Sequence, residues 1–455
     1  MDISNPLEIE NIRNLRSSID KLKEKTQKAD NTEKLVFEYH QYFHDMMELL
    51  TSEDPEELHT AITFFKHYIQ LSKNHQLAEY FLKYTNSLGR IIEIFLENEY
   101  PIVIEDSLDL LYYLYLFIPI NLNTNALEKI AERVVYLFSY GIFSLAVLLL
   151  NFIETLCNQN ESFCQMLFRC DVFENAYELV MGELDDVDEL VEAQGRAFYA
   201  ITRVKFDEKY IPDVISRIAI FFGLNNASVH YYGLLMLTRM LEYGLDISQF
   251  EFFIENFVTF SAASKKVLME LLNLIPKIRD QEYIRKILCE DFVNNLSVQC
   301  WEKRTHSRVR AAIFRFFRKI SPIFRPNDVD NLLIVAAVHS LTKSFREVKQ
   351  SVLLLTCYCQ GDLNFAIKLG FTGIMLVLGT SLADNKSVLN DLIFDLLGYI
   401  GHAAVVLNID LRMADGYNLV AMSLNMIIND PESDVNFNKA SELSKFYFVE
   451  EGLDE

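Results

Sequence analysis

The sequence predicts an all-α fold: a right-handed α-solenoid of armadillo/HEAT type with about nine to ten repeats. Three observations lead there. Glycine and proline number only 15 and 9 among 455 residues, too few turn formers for a chain of short strands. Amphipathic helical periodicity runs almost throughout, and strict apolar/polar alternation never lasts more than about five residues. Apolar helices of one kind, each following a polar turn, recur about every 41 residues, which is the armadillo and HEAT period.

In chain order, these helices are expected near Asp54 (DPEELHTAITFFKHYI), Ile102, Phe143, Glu189, Ala227, Ser261, Ser307, Arg346 and Lys386. Each unit has apolar residues on two faces and cannot cover both alone. Stacked neighbours cover them, so the repeats share one core. Pro55, Pro101 and Pro212 fall at or just before helix starts, where a missing N–H costs nothing. In KLGFTGIMLVLGTSLADNKSVLNDLIFDLLGYIG (368–401), a short helix turns into two longer ones. Gly370 is expected to provide the sharp turn. This three-helix form points to armadillo, and it is clearest at 361–401 and 159–204. Elsewhere the first helix is eroded, so a mixed armadillo/HEAT array is expected. Residues 1–35 read as a polar, moderately basic segment, 36–430 as the solenoid, and 431–455 as an acidic tail with a final helix fragment.

The net charge of -22 disfavours nucleic acid and favours basic peptides or basic protein surfaces as partners. The N-terminus MDISNPLEIENIRNL lacks the apolar core of a signal peptide. The run at 110–127 contains proline and asparagines, so it reads as a helix-pair core and not as a membrane span. Seven cysteines without framework spacing read as reduced, buried thiols of a cytoplasmic or nuclear protein. The sequons at Asn160, Asn226, Asn295 and Asn385 are then chance matches.

No phosphate-binding loop, dinucleotide fingerprint, nucleophile elbow or HExxH motif occurs. No enzymatic activity, metal or cofactor is therefore expected. His40 and His44 share a helix face at metal-ligand spacing, but no third ligand lies nearby in sequence. Six carboxylates between Glu183 and Glu192 fall in a turn and at a helix start, where they favour the helix dipole.

SEDPEELHTAITFFKHYIQLSK (52–73) resembles the first armadillo repeat of importin-α, the adaptor family that carries nuclear-localisation peptides. The matching residues are Leu58, Ala61, Phe65 and Lys66, and MMELLT (46–51) fits the preceding helix. The close match covers about 25 residues, and a looser repeat match covers 36–430. The resemblance implies that third helices line a concave groove holding protein or peptide ligands. It also implies a basic N-terminal segment that binds an importin-β-like receptor. Residues 1–35 hold seven basic residues in that place, among them Arg13, Arg16 and Lys21, but Asp20, Glu24, Asp30 and Glu33 interrupt them.

The family repeats a tryptophan and, four residues later, an asparagine along the groove. Matched through the flanking core, these positions hold Asp109/Tyr113, Asn151/Thr155, Tyr199/Arg203, Leu235/Arg239 and Met269/Asn273. They continue as Arg315/Lys319, Leu353/Cys357 and Asp395/Tyr399. No pair keeps both residues, and the one tryptophan, Trp301, lies outside these helices. The expected groove is bipolar. Asp109 and the 183–192 cluster make its first half acidic. Arg239, Arg315, Arg318 and Lys319 make its second half basic, with seven positive charges between 303 and 319. Two functions follow as expectations: an importin-α-like import adaptor with an altered groove, or an armadillo/HEAT scaffold in trafficking, cytoskeletal or signalling assemblies.

Overall fold

The structure, a computed structural model, describes residues 39–71, 76–83, 86–176, 188–224, 226–250, 264–326, 329–383, 387–430 and 434–448. The polar N-terminal segment and Asp384–Lys386 lie outside these residues. The chain divides into two compact units, Met1–Tyr243 and Gly244–Glu455. Among the described residues every regular element is helical.

The first unit contains α1 (Phe43–Leu49), α2 (Pro55–Gln70), α3 (Gln76–Lys83), α4 (Ser87–Glu97), α5 (Pro101–Phe117) and α6 (Thr124–Phe138). It continues with α7 (Phe143–Gln159), α8 (Glu161–Arg169), α9 (Val172–Asn175), α10 (Asp188–Ile201), α11 (Ile211–Gly223) and α12 (Ala227–Glu242). Side chains at the caps decide where many of these helices begin. The Asp54 carboxylate accepts from the Glu56 N–H, with Pro55 in the first turn. Asn123, Asn160 and Asn226 cap α6, α8 and α12 in the same way. Two sequon asparagines are thus helix caps.

The long helices α2, α5, α7, α10 and α12 pack one on the next. The shorter helices form a second layer, in which α4 lies on α5, α8 on α6, and α11 on α12. Leu58, Ala61 and Phe65 of α2 are fully or almost fully buried, as are Val103, Ile104 and Leu111 of α5. Each large apolar side chain withdrawn from water contributes roughly 2 kcal/mol, before the cost of ordering it. The residues that carry the importin-α resemblance are therefore mostly core.

The second unit contains α13 (Lys265–Leu274), α14 (Gln281–Ile287), α15 (Glu290–Trp301), α16 (Ser307–Lys319), α17 (Leu332–Ser340) and α18 (Phe345–Gly361). It ends with α19 (Leu363–Leu369), α20 (Met375–Ala383), α21 (Ser387–Leu407), α22 (Tyr417–Ile428) and α23 (Asp434–Tyr447). Here α13, α16, α18, α21 and α23 pack in succession, backed by α15 on α17 and α20 on α22.

The expected helix starts fall within about one residue of the observed ones, except that the helix placed near Ser261 begins at Lys265, capped by Ser264. The fold class is as predicted, all-α of armadillo/HEAT type. Among the described residues, three helices follow one another within 76–117, 161–201, 281–319 and 363–407, and two within 124–159, 211–242 and 332–361.

Two expectations need correction. Gly370 does not make the turn: it is helical at φ -53, and a Cβ there would meet Ile400 Cγ2 at 3.1 Å. It is a close-packing glycine. Gly373 makes the turn, at φ +77. The second concerns 431–455, expected as an acidic tail with a final helix fragment outside the solenoid. Residues 434–447 are a helix packed on α21 and α22. Asn436, Ala440, Leu443 and Tyr447 recur at helical spacing and are buried. The cysteines also differ from expectation in part, since Cys289 is exposed.

Residues 363–383 and 389–407 are long and apolar enough to cross a membrane by length and composition. In this fold the first is α19 and α20 meeting at Gly373, and the second lies in α21, with Leu396, Leu397 and Ile400 fully buried.

Candidate binding face

Each unit's own long-helix layer carries the sequence-predicted groove positions, and the two layers differ in chemistry. In the first unit Asp109 and Tyr113 lie on α5, Asn151 on α7, Tyr199 on α10, Arg203 just beyond α10, and Arg239 on α12. Arg203 is exposed and the others are half-buried.

Polar side chains bridge each successive pair of long helices. Lys66 of α2 pairs with Asp109 of α5, and His59 of α2 meets Asp106 of α5. Ser144 of α7 donates to Glu105 of α5 at 2.8 Å. Arg196 of α10 donates to Asn151 at 2.7 Å and to Glu154 at 3.0 Å, both on α7, and lies 3.4 Å from Glu192 on its own helix. Arg203 donates to Asn158. Arg239 pairs with Glu242 at 2.6 Å on its own helix, and Asn226, at the start of α12, donates to Asp188 of α10 at 2.7 Å.

Lys66, Asp106, Asp109, Ser144, Asn151 and Glu189 line a cleft of about 370 Å³ in this face. Burial pushes the Asp106 carboxyl up, against the opposing pull of His59 and Lys66. Among the described residues the face is mixed in charge, because basic residues from neighbouring helices meet most of its carboxylates. Such half-exposed pairs are worth roughly 0–1 kcal/mol each, so they set geometry more than stability.

Arg196 is the residue that sequence reasoning missed. It lies one turn before Tyr199 and so on nearly the same stripe. An alignment tracking two positions per helix passed over it. Lys66 was noted only for the resemblance, yet it faces Asp109 directly.

In the second unit Met269 (half-buried) and Asn273 (exposed) lie on α13, and Arg315 and Lys319 are exposed on α16. Desolvation and the nearby charges of Arg315, Lys277 and Arg318 push the Lys319 amine down. Further along the layer, Lys439 of α23 meets Asp391 at 3.1 Å and Asp395 at 3.5 Å on α21. Leu353, Cys357 and Tyr399 are half-buried. Trp301 ends α15, outside the long-helix layer, half-exposed beside the His339 ring.

His40 and His44 are both exposed, and the His40 ring lies 3.3 Å from the Tyr68 hydroxyl. Among the described residues no group of three His, Cys, Asp or Glu side chains is placed to hold a metal. Of the 183–192 cluster, residues 183–187 lie outside the described part. Asp188 opens α10 and accepts from Asn226 at 2.7 Å.

No family model matches the chain, and no curated protein matches it in sequence. An engineered protein of known structure is similar over 89% of this chain and 98% of its own, at TM-score 0.62 and 14% identity. A designed armadillo repeat protein covers 61% of this chain at TM-score 0.35 and 13% identity, with 98% of its own length matched. A second engineered protein covers 54% at TM-score 0.36 and 15% identity, with 96% of its own length matched. The last two overlaps are too loose to carry an argument. The first is a likeness of fold alone, and the fold is a repeated stack of helices.

Proposed function

We propose that this chain is a non-enzymatic protein-binding scaffold whose ligands lie across the long-helix layer. The observation that carries this reading is the run of half-buried and exposed polar side chains that crosses every long helix of the first unit, from Lys66 to Arg239. An extended segment laid across parallel helices meets a new set of such side chains every roughly 8–10 Å, the usual interaxial distance. Its backbone groups find donors and acceptors in Asn151, Tyr199 and Arg203.

The importin-α-like transport role rests on the resemblance alone. Leu58, Ala61 and Phe65 are core residues, so they support shared architecture and say nothing of cargo. Trafficking, cytoskeletal or signalling assemblies remain the alternative setting, and the cytoplasm or nucleus the proposed compartment.

One experiment separates these readings. Partners are captured from nuclear and cytosolic extract by the full chain, by a chain lacking residues 1–35, and by an Asp109→Lys/Asn151→Ala/Arg203→Ala variant. The scaffold reading expects a defined set of partners, lost by the variant while its circular dichroism is unchanged. Equal recovery by the variant would overturn it. Recovery of an importin-β-like receptor by the full chain alone would support the adaptor role.

A further inference from the structure

On the second unit's long-helix layer, one stripe of α16 places Arg308, Ala312, Arg315 and Lys319 at successive helical turns. Arg308, Arg315 and Lys319 are all exposed, and Arg318 lies beside the stripe, half-buried. On α13, which packs against α16, Lys266 is exposed ahead of Met269 and Asn273. On α18, packed on the other side, Arg346 is exposed ahead of Gln350 and Leu353. The stripes of α16 and α18 carry no carboxylate, and that of α13 has one half-buried neighbour, Glu270, a turn from Lys266 and Asn273.

The chain holds 64 carboxylates against 42 basic residues, so cations are outnumbered and counter-ions are plentiful. Elsewhere on the described surface Lys66, Arg196, Arg239, Arg310, Arg412 and Lys439 each meet a carboxylate, while Arg285 and Lys286 are exposed without one and lie off the layer. Among the described residues Arg315, Arg318 and Lys319 meet none, and their mutual repulsion, together with Lys277, bears on the Lys319 amine. A like-charge cluster held at one spot in an acidic protein costs stability unless something else neutralises it.

We propose that this face of α13, α16 and α18 docks an acidic, extended peptide segment of a partner protein. This assignment rests on the scaffold reading and gives it a ligand class. Charge complementarity supplies the attraction, and the spacing supplies the shape. Arg315 and Lys319 are one turn apart, about 6 Å along the helix. A peptide crossing α16 therefore passes between two cations, and one acidic side chain reaches both. Successive helices repeat the contact about every third peptide residue. Single-stranded nucleic acid is the poorer fit, because it needs aromatic platforms for its bases. Met269, Asn273, Ala312, Gln350 and Leu353 supply none.

The test is a fluorescence-anisotropy titration of the full chain with a labelled poly-glutamate peptide, at low and moderate salt. The wild-type chain is expected to bind saturably, more weakly as salt rises. Arg315→Glu/Lys319→Glu should weaken binding by about ten-fold or more. Arg285→Glu/Lys286→Glu changes net charge equally on α14, outside the layer, and should stay within about two-fold. If the α16 reversal fails to fold, Arg315→Gln/Lys319→Gln replaces it, with an expected loss of about three-fold or more. Three results would overturn the assignment: no saturable binding, equal losses from the α14 and α16 variants, or tighter binding of anionic vesicles or single-stranded DNA than of the peptide. If the first-unit variant above still loses its captured partners, the scaffold reading survives while this ligand class falls.

Discussion

Glu347 shows how much one residue carries. It lies in the first turn of α18, and its carboxylate accepts from the Ser344 N–H at 3.2 Å, the Ser344 hydroxyl at 2.7 Å and Arg310 of α16. Burial alone would raise its pKa, yet those hydrogen bonds and the Arg310 charge outweigh it and hold the carboxyl low. A carboxylate whose folded pKa is depressed contributes stability that is complete above its unfolded pKa. That stability is lost as pH falls through the folded value. Glu347→Gln should therefore cost about 2 kcal/mol near neutrality by chemical denaturation. The gap between variant and wild type should close as pH drops below the ordinary carboxylate range. A gap independent of pH would show that packing, and not the charge, holds this junction.

The same scale shows where sequence reading stops. Gly370 and Gly373 lie three residues apart in one segment. Only dihedrals and neighbours assign the turn to Gly373 and the close approach to Gly370. Likewise the pairs Lys66–Asp109 and Arg196–Glu154 join residues about 42 positions apart. Their members were visible as charges at helical spacing. Their pairing depends on the register between neighbouring helices, which no local pattern encodes.

Among elements, helix starts were legible because a cap, a proline or a polar turn marks most of them in short sequence. The closing helix α23 was legible only as a fragment, since its acidic flanks hid a buried stripe. Tyr447 is fully buried and donates to the Leu397 carbonyl at 2.9 Å, while the Tyr417 hydroxyl donates to the Tyr447 carbonyl at 2.5 Å. Ending the chain at residue 433 would expose the faces of α21 and α22 that Ala440, Leu443 and Tyr447 cover. With about 2 kcal/mol per large side chain, the loss should reach roughly 4–6 kcal/mol in this unit. A first, low-temperature transition should then appear in thermal melting of the truncated chain. An unaltered melting profile would mean that α23 is an appendage.

At the scale of the whole molecule, a period near 41 residues and a helix-only composition were enough to read the repeat architecture. Both follow from burial: a unit with two apolar faces needs a neighbour on each. The ligand was not legible in the same way. It depends on which exposed positions of the long helices stay unpaired, and that is settled only when neighbouring helices meet. Among the described residues the first unit's face pairs its carboxylates with basic neighbours, whereas Arg315, Arg318 and Lys319 of the second meet no carboxylate.

The central claim is that partners contact the long-helix layer. Site-directed photo-crosslinking tests it most directly, with benzoylphenylalanine placed at Tyr113 or Asn273 on that layer, or at Met422 on α22, which is 63% exposed. A captured partner should crosslink from Tyr113 or Asn273 and not from Met422. Crosslinks from Met422 with none from the long-helix positions would contradict the account.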